Sequence, residues 1–298
     1  MLWRKAVFIV LVILCLSPLG SPQLAVFLGL ALGLTIGNPF ASVNDKTREL
    51  LLEGSIVLLA FGTDLASVYR AFKQGRFFVV AAFCVFVLLV YLLGRVLPSS
   101  RPPIIYANAE NGFANSENDT TKTSSAAIIV SSIALFVLPI IGRHFNLNAD
   151  QYGFLSAMSI PGPSFVAGSA AVFKPDSINI AIPLALTATL LIAAFALISR
   201  QIGPKETELR SSVRFPWFVL FFVLAVAART YAPVSIFPSI FDSIVNLGNA
   251  GIVVGLFFLA AGISRSDIKG TDIRQFVQIF LPWLLVSAAS FWAVLHLL

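Results

Sequence analysis

An all-α membrane protein, built as a polytopic helix bundle of about 11 spans, is the fold class this sequence predicts. Three observations predict it. Of 298 residues, 58% are hydrophobic and only 11% are charged, where a soluble domain carries roughly 25% charge. The apolar residues gather into segments long enough to span or nearly span a bilayer, separated by turns and short basic connections. A short pattern also returns late in the chain: Leu58-Leu59-Ala60-Phe61-Gly62-Thr63-Asp64 resembles Phe258-Leu259-Ala260-Ala261-Gly262-Ile263-Ser264, each followed by a basic connection and an apolar helix. In an 11-span chain these are the third and tenth spans and run in opposite directions. Inverted repeats of this kind mark secondary transporters. The whole chain reads as one transmembrane domain.

The elements follow in order. Arg4 and Lys5 precede the apolar run Ala6 to Leu16, which looks like a signal peptide. No small-x-small cleavage site follows, so it is taken as an uncleaved first span. The turn Ser17 to Pro22 leads into Gln23 to Ile36, where Gly29 and Gly33 form a small-xxx-small pair suited to close helix contact. The further segments expected are Leu50 to Val68, Phe77 to Leu97, Ala126 to Ile141, Tyr152 to Phe173, Ile178 to Ile198, Phe215 to Tyr231, Ile240 to Ile263 and Phe276 to Leu298. Pro102 to Thr120 is ambiguous, because hydropathy alone makes it a polar loop.

Charge arbitrates. With the N-terminus in the cytoplasm and every segment crossing, 14 of the 20 basic residues fall on the cytoplasmic side, as the positive-inside rule requires. Making Pro102 to Thr120 alone a loop destroys the bias. Making both it and Tyr152 to Phe173 re-entrant restores it. The two segments therefore share a status, and crossing is the expectation. That puts the N-terminus and Ile202 to Val213 in the cytoplasm and the C-terminus outside, in a bacterial inner membrane. The net charge of +6 is thus an orienting device, and no nucleic-acid partner is expected. Cys15 and Cys84 lie in apolar runs without metal-ligand spacing. No metal and no cofactor are expected.

The stretch that points to function is Ser159-Ile160-Pro161-Gly162-Pro163-Ser164. Two prolines each remove a backbone donor, and the glycine between them relaxes the chain. A helix should stop near Ser159 and restart at Pro163 with Gly162 as cap. The restarted half directs free N–H groups and a positive dipole end into the protein, which favours an anion. A kink used only for packing is the alternative reading.

Over nearly its whole length the chain resembles the UPF0324 or YeiH-like membrane proteins, a family to which sulfate export is ascribed. The residues that carry the resemblance include Gly33 to Asn38, Leu52 to Gly62, Tyr152-Gly153-Phe154, Phe215-Pro216-Trp217-Phe218 and Phe258 to Gly262. The resemblance implies two interrupted helices crossing near the midplane, the first at Asn108 to Asn118 and the second at Ser159 to Ser169. The chain departs from the family at both. A Gly-Ser-Ser-Ile-Cys-Gly type motif is replaced by a segment with Asn108, Glu110, Asn111 and Asn115. A His-acid pair is replaced by Pro161-Gly162.

Polar residues within a crossing segment are expensive and persist where they face a cavity. The candidate substrate site is therefore Asn108, Glu110, Asn111 and Asn115 with Ser159, Pro161, Gly162, Pro163 and Ser164. Glu53 and Glu110 are candidates to carry a coupling ion; Glu53 reads equally as a surface residue. Glu117, Asp119 and Lys122 fit a solvated loop better, and Asp64 fits a helix cap. The function expected is a secondary active transporter of a small anion, sulfate-like or an organic sulfonate or carboxylate. Its expected partners are that anion, sodium or a proton, membrane lipid and a second copy of the chain. A channel or a transport-inactive relative serving as regulator or partner subunit is the alternative. An enzyme is not expected: Gly162-Pro163-Ser164 imitates a nucleophile turn, but His144 and His296 fall at helix ends, out of reach as bases.

Overall fold

The computed structural model describes residues 2–97, 120–202, 216–232, 238–269 and 273–297. Its elements are α1 (Leu2–Leu16), α2 (Pro22–Thr35), α3 (Ala41–Ala60), α4 (Leu65–Val96), α5 (Thr120–His144), α6 (Ala149–Ser159), α7 (Pro163–Phe173), a 3-10 turn (Pro175–Ser177), α8 (Ile178–Ile202), α9 (Trp217–Tyr231), α10 (Pro238–Ala261), α11 (Arg265–Lys269) and α12 (Ile273–Leu297). Among the described residues every one of these elements is helical. Five helices are long and apolar enough to cross a membrane, namely α4, α5, α8, α10 and α12, and α2, α7 and α9 are shorter apolar helices. This is an integral membrane helix bundle. Within its spanning window α5 is 67% buried and α4 only 11%, so α5 is central and α4 lies at the lipid-facing rim.

Local chemistry sets the ends. Ser21 caps α2 by accepting from the Leu24 N–H at 3.2 Å, with Pro22 at the first helical position. Asp64 caps α4 by accepting from the Ser67 N–H at 2.9 Å, the role its position after Gly62-Thr63 suggests. That cap corrects one boundary. The apolar run Leu50 to Val68 is not one helix: α3 ends at Ala60 and α4 starts at Leu65. The basic stretch Arg70 to Arg76, read as a connection, is helical instead, because lysine, arginine and glutamine are good helix formers. At 32 residues α4 is about 48 Å long, well beyond a hydrocarbon core of about 30 Å.

Two groups of helices share one large core, and a smaller cluster around Phe8, Leu32 and Phe257 seats α1 on α2 and α10. In the first, α10 packs against α2 and α3, with α1 and α9 outside. A Cβ on Gly29 would stand 2.6 Å from the Phe257 carbonyl oxygen, and one on Gly33 would collide with that of Ile263. The small-xxx-small pair therefore does make the close contact the sequence suggests. Along α10, Gly248 faces Leu58 and Leu59, Gly251 faces Ser55, and Gly255 faces Leu52. Numbers rise on one helix as they fall on the other, so α3 and α10 are antiparallel. Their C-termini also close alike. The Thr63 N–H donates to the Ala60 carbonyl at 3.0 Å and the Ile263 N–H to the Ala260 carbonyl at 3.2 Å. Asp64 then caps α4, and Ser264 caps α11 in exchange with Asp267. In the second group α4, α6, α8 and α12 pack together, with α5 alongside.

Candidate functional site

The break in the segment Tyr152 to Phe173 forms as the sequence requires. Asn148 and Gln151 make a reciprocal capping box that starts α6. Pro161 offers no N–H to the Ala157 carbonyl, and Pro163 none to that of Ser159. Gly162, with φ 85°, turns the chain in the left-handed region and is the N-cap of α7. The segment does not cross, however. Tyr152, near the start of α6, stacks on Phe173 at the end of α7 with centroids 3.9 Å apart, and its hydroxyl meets Ser169 Oγ at 2.5 Å. Lys174 Nζ donates to the Leu147 carbonyl at 3.3 Å, and Arg143 donates to that of Val172 at 2.6 Å. Both limbs therefore open at one end of the bundle. Each has 11 residues, about 16 Å or half a bilayer core. The expected crossing is corrected to a re-entrant hairpin. Two prolines and a positive-φ glycine reverse the chain as readily as they kink it, and hydropathy registers only length.

The tip, Ile160 to Gly162, lies inside the bundle. Ser131 on α5 donates to the Pro161 carbonyl at 3.3 Å. A cavity of about 110 Å³ surrounds the tip, lined by Ser159, Ile160, Pro161 and Gly162 and by residues of α4, α5, α8 and α12, Trp283 among them. Ser159 is 3% exposed and Trp283 5% exposed. Ser159 Oγ and Trp283 Nε1 are both buried without a hydrogen-bond partner among the described residues. Buried donors are rarely left so. Thr189, also on the wall, already donates to the Ala185 carbonyl at 3.0 Å. No side chain caps α7; its first free donors are the N–H groups of Ser164 and Phe165, since Pro163 has none.

Of the residues singled out from the sequence, Ser159, Pro161 and Gly162 line the cavity, whereas Pro163 and Ser164 begin the limb that leads away toward α2, α3 and α10. Glu53 is on α3, which does not line this cavity. Asn108, Glu110, Asn111 and Asn115, with Glu117 and Asp119, lie outside the described residues. The sequence reading missed Trp283. The available signal was Gln278-x-x-x-Pro282-Trp283, a buried amide and a proline inside an apolar helix. Gln278 donates to the Leu97 carbonyl and keeps an unpartnered Oε1.

Comparison with known proteins decides the family. A family model described as Conserved hypothetical protein 698 matches residues 6–278. The chain belongs to the UPF0324 family. It is 27% identical over 284 residues to a UPF0324 membrane protein of Bacteroides thetaiotaomicron, covering 91% of this chain and 85% of that one. It is 28% identical over 300 residues to one from Geobacter sulfurreducens, covering 96% and 95%. A third, from Bdellovibrio bacteriovorus, is 28% identical over 311 residues, covering 98% and 94%. No solved structure matches this UPF0324 protein.

Proposed function

We propose that this UPF0324 protein is a secondary active transporter of a small anion, bound at the tip of the α6–α7 hairpin. The observation that carries the reading is the pair of unpartnered buried donors, Ser159 Oγ–H and Trp283 Nε1–H, beside a helix break in a cavity. Leaving such groups unsatisfied costs about 1–3 kcal/mol each, a cost a ligand acceptor removes. The uncapped N-terminus of α7 adds a positive dipole end.

The topology supports nine crossings. In this reading helices α1 to α5, α8 to α10 and α12 alternate in direction, as the antiparallel α3 and α10 do, and the hairpin enters and leaves at one end. Helix α11, which follows the far end of α10, packs on α5 and α2. On this reading the start of α5 lies opposite the hairpin mouth, on the side where the Leu97 carbonyl meets Gln278 near the start of α12. If Pro102 to Thr120 shares the hairpin's status, as the charge count requires, the basic residues again divide 14 to 6 for a cytoplasmic N-terminus and an external C-terminus. The antiparallel α3 and α10, with their matching exits, fit an inverted repeat. Alternating access would rock the α2–α3–α10 group against the α4–α8–α12 group, with α7 wedged between them. Glu53 and Glu110 remain the proposed carriers of a coupling proton or sodium ion.

The test is counterflow in proteoliposomes preloaded with an unlabelled anion. Saturable exchange that Ser159→Ala weakens supports the carrier. Non-saturable flux, or no flux with any anion, overturns it.

A further inference from the structure

We infer that the ligand of the hairpin-tip cavity is an organic monoanion with a short apolar tail, a carboxylate or sulfonate, and not inorganic sulfate. The inference rests on the carrier reading above and names its substrate class. Three observations carry it. First, the wall is mostly apolar: Phe83 and Phe86 from α4, Ile192 from α8 and Ile279 from α12 face the tip. Second, no basic side chain is among the described lining residues. A bare divalent oxyanion would lose its hydration without a counter-charge, a large cost in a dry site. Third, the unpartnered side-chain polar groups among the described lining residues are two neutral donors, Ser159 Oγ–H and Trp283 Nε1–H, both buried. They suit one singly charged headgroup that offers acceptor oxygens. The tail would then cover the aromatic and aliphatic wall. A cavity of about 110 Å³ holds about four groups of water size at ~30 Å³ each, enough for a headgroup and a tail of roughly two or three carbons.

The experiment uses the full chain in lipid nanodiscs and a series of sodium alkanesulfonates and carboxylates of increasing length, with sodium sulfate alongside. Dissociation constants come from the dependence of the melting temperature on ligand concentration, and the same compounds are run in counterflow. Affinity is expected to rise about fourfold per methylene, to level off near three carbons, and to be undetectable for sulfate. Trp283→Phe, which keeps a ring and loses the N–H, should weaken every member of the series by a similar factor and leave the slope intact. Ala188→Phe, which fills the cavity, should abolish the slope. Should that variant fail to fold, Phe86→Ala, which enlarges the cavity, should move the plateau to longer tails. A flat series, or sulfate binding as tightly as propanesulfonate, overturns the inference while the carrier reading stands. A slope unchanged in both cavity variants reports partition into lipid and overturns it too. If no compound binds and none counterflows, the carrier reading falls as well.

Discussion

The seam between α10 and its neighbours α2 and α3 and the tip of the α6–α7 hairpin are built from the same residue types, to opposite ends. At the seam, Gly29 and Gly33 bring the backbone of α2 so close to backbone atoms of α10 and its exit that no Cβ fits. Gly248, Gly251 and Gly255 sit tight against α3, and Ser55 returns its hydroxyl to the Leu51 carbonyl of its own helix. The Ser55 hydroxyl there is satisfied, and space is scarce. At the tip, Gly162 serves conformation, Ser159 has no partner, and a cavity remains. Small residues and serines thus mark scaffold in one place and the proposed ligand site in the other. Partner satisfaction, which the sequence does not display, separates the two.

The largest expected effect tests the seam. Gly33→Leu drives a side chain into the Ile263 carbonyl, a backbone atom that cannot step aside. Overpacking of this kind costs about 3 kcal/mol. Size-exclusion profile and melting temperature in detergent are expected to deteriorate together. A stable, monodisperse variant would show that α2 and α10 are not in close contact.

Next comes Gly162→Ala. The φ of 85° is costly for a residue with a Cβ, by about 1–2 kcal/mol. Relief of that strain would reshape the turn, so transport should fall more than stability. Equal losses in both would class Gly162 with the seam glycines.

The third comparison pairs two serines of the hairpin. Ser169 holds Tyr152 across the limbs, so Ser169→Ala should destabilise by about 1 kcal/mol. Ser159 is partnerless, so Ser159→Ala should leave stability unchanged or raise it slightly. Its apparent ligand affinity should fall about tenfold, as loss of one hydrogen bond to a bound group implies. Thermal melts with and without ligand separate the two. A destabilised Ser159→Ala would reveal a structural partner and remove the proposed role.

Much of this architecture was legible. Segment positions came from hydropathy, the Gly29–Gly33 contact from spacing, and the break at Ser159 to Pro163 from two prolines and a glycine. The direction of the chain after the break was not. Whether a Pro-Gly-Pro tip kinks or reverses is decided by tertiary pairs such as Tyr152–Phe173 and Tyr152–Ser169, 21 and 17 residues apart. The charge count had narrowed the choice to two topologies with equal scores. Similarly, half of the donor pair was visible as Ser159, next to the prolines. Trp283 was not, because a tryptophan in an apolar helix reads as lipid-facing until its indole nitrogen is seen buried without a partner.

The smallest expected effect sharpens the likeness of the α3 and α10 exits. Asp64 accepts hydrogen bonds from Ser67, whose side chain and then backbone N–H hold the carboxyl below the usual carboxylate range. A carboxyl depressed in the folded state contributes stability that is present above its unfolded pKa, about 3.9. That contribution is lost as pH falls from there through the lower folded value. Since Asp64 sits exposed in the turn, solvent keeps the effect small. Asp64→Asn retains a cap and removes the charge, whereas Ser264, at the matching exit, caps α11 with a neutral hydroxyl. Melting temperatures of the wild type and Asp64→Asn should therefore differ slightly at pH 5–7 and converge below about pH 4. A difference that stays constant down to pH 3 would show that the charge of Asp64 contributes nothing at this helix end. The two exits would then be alike in energetics as well as in geometry.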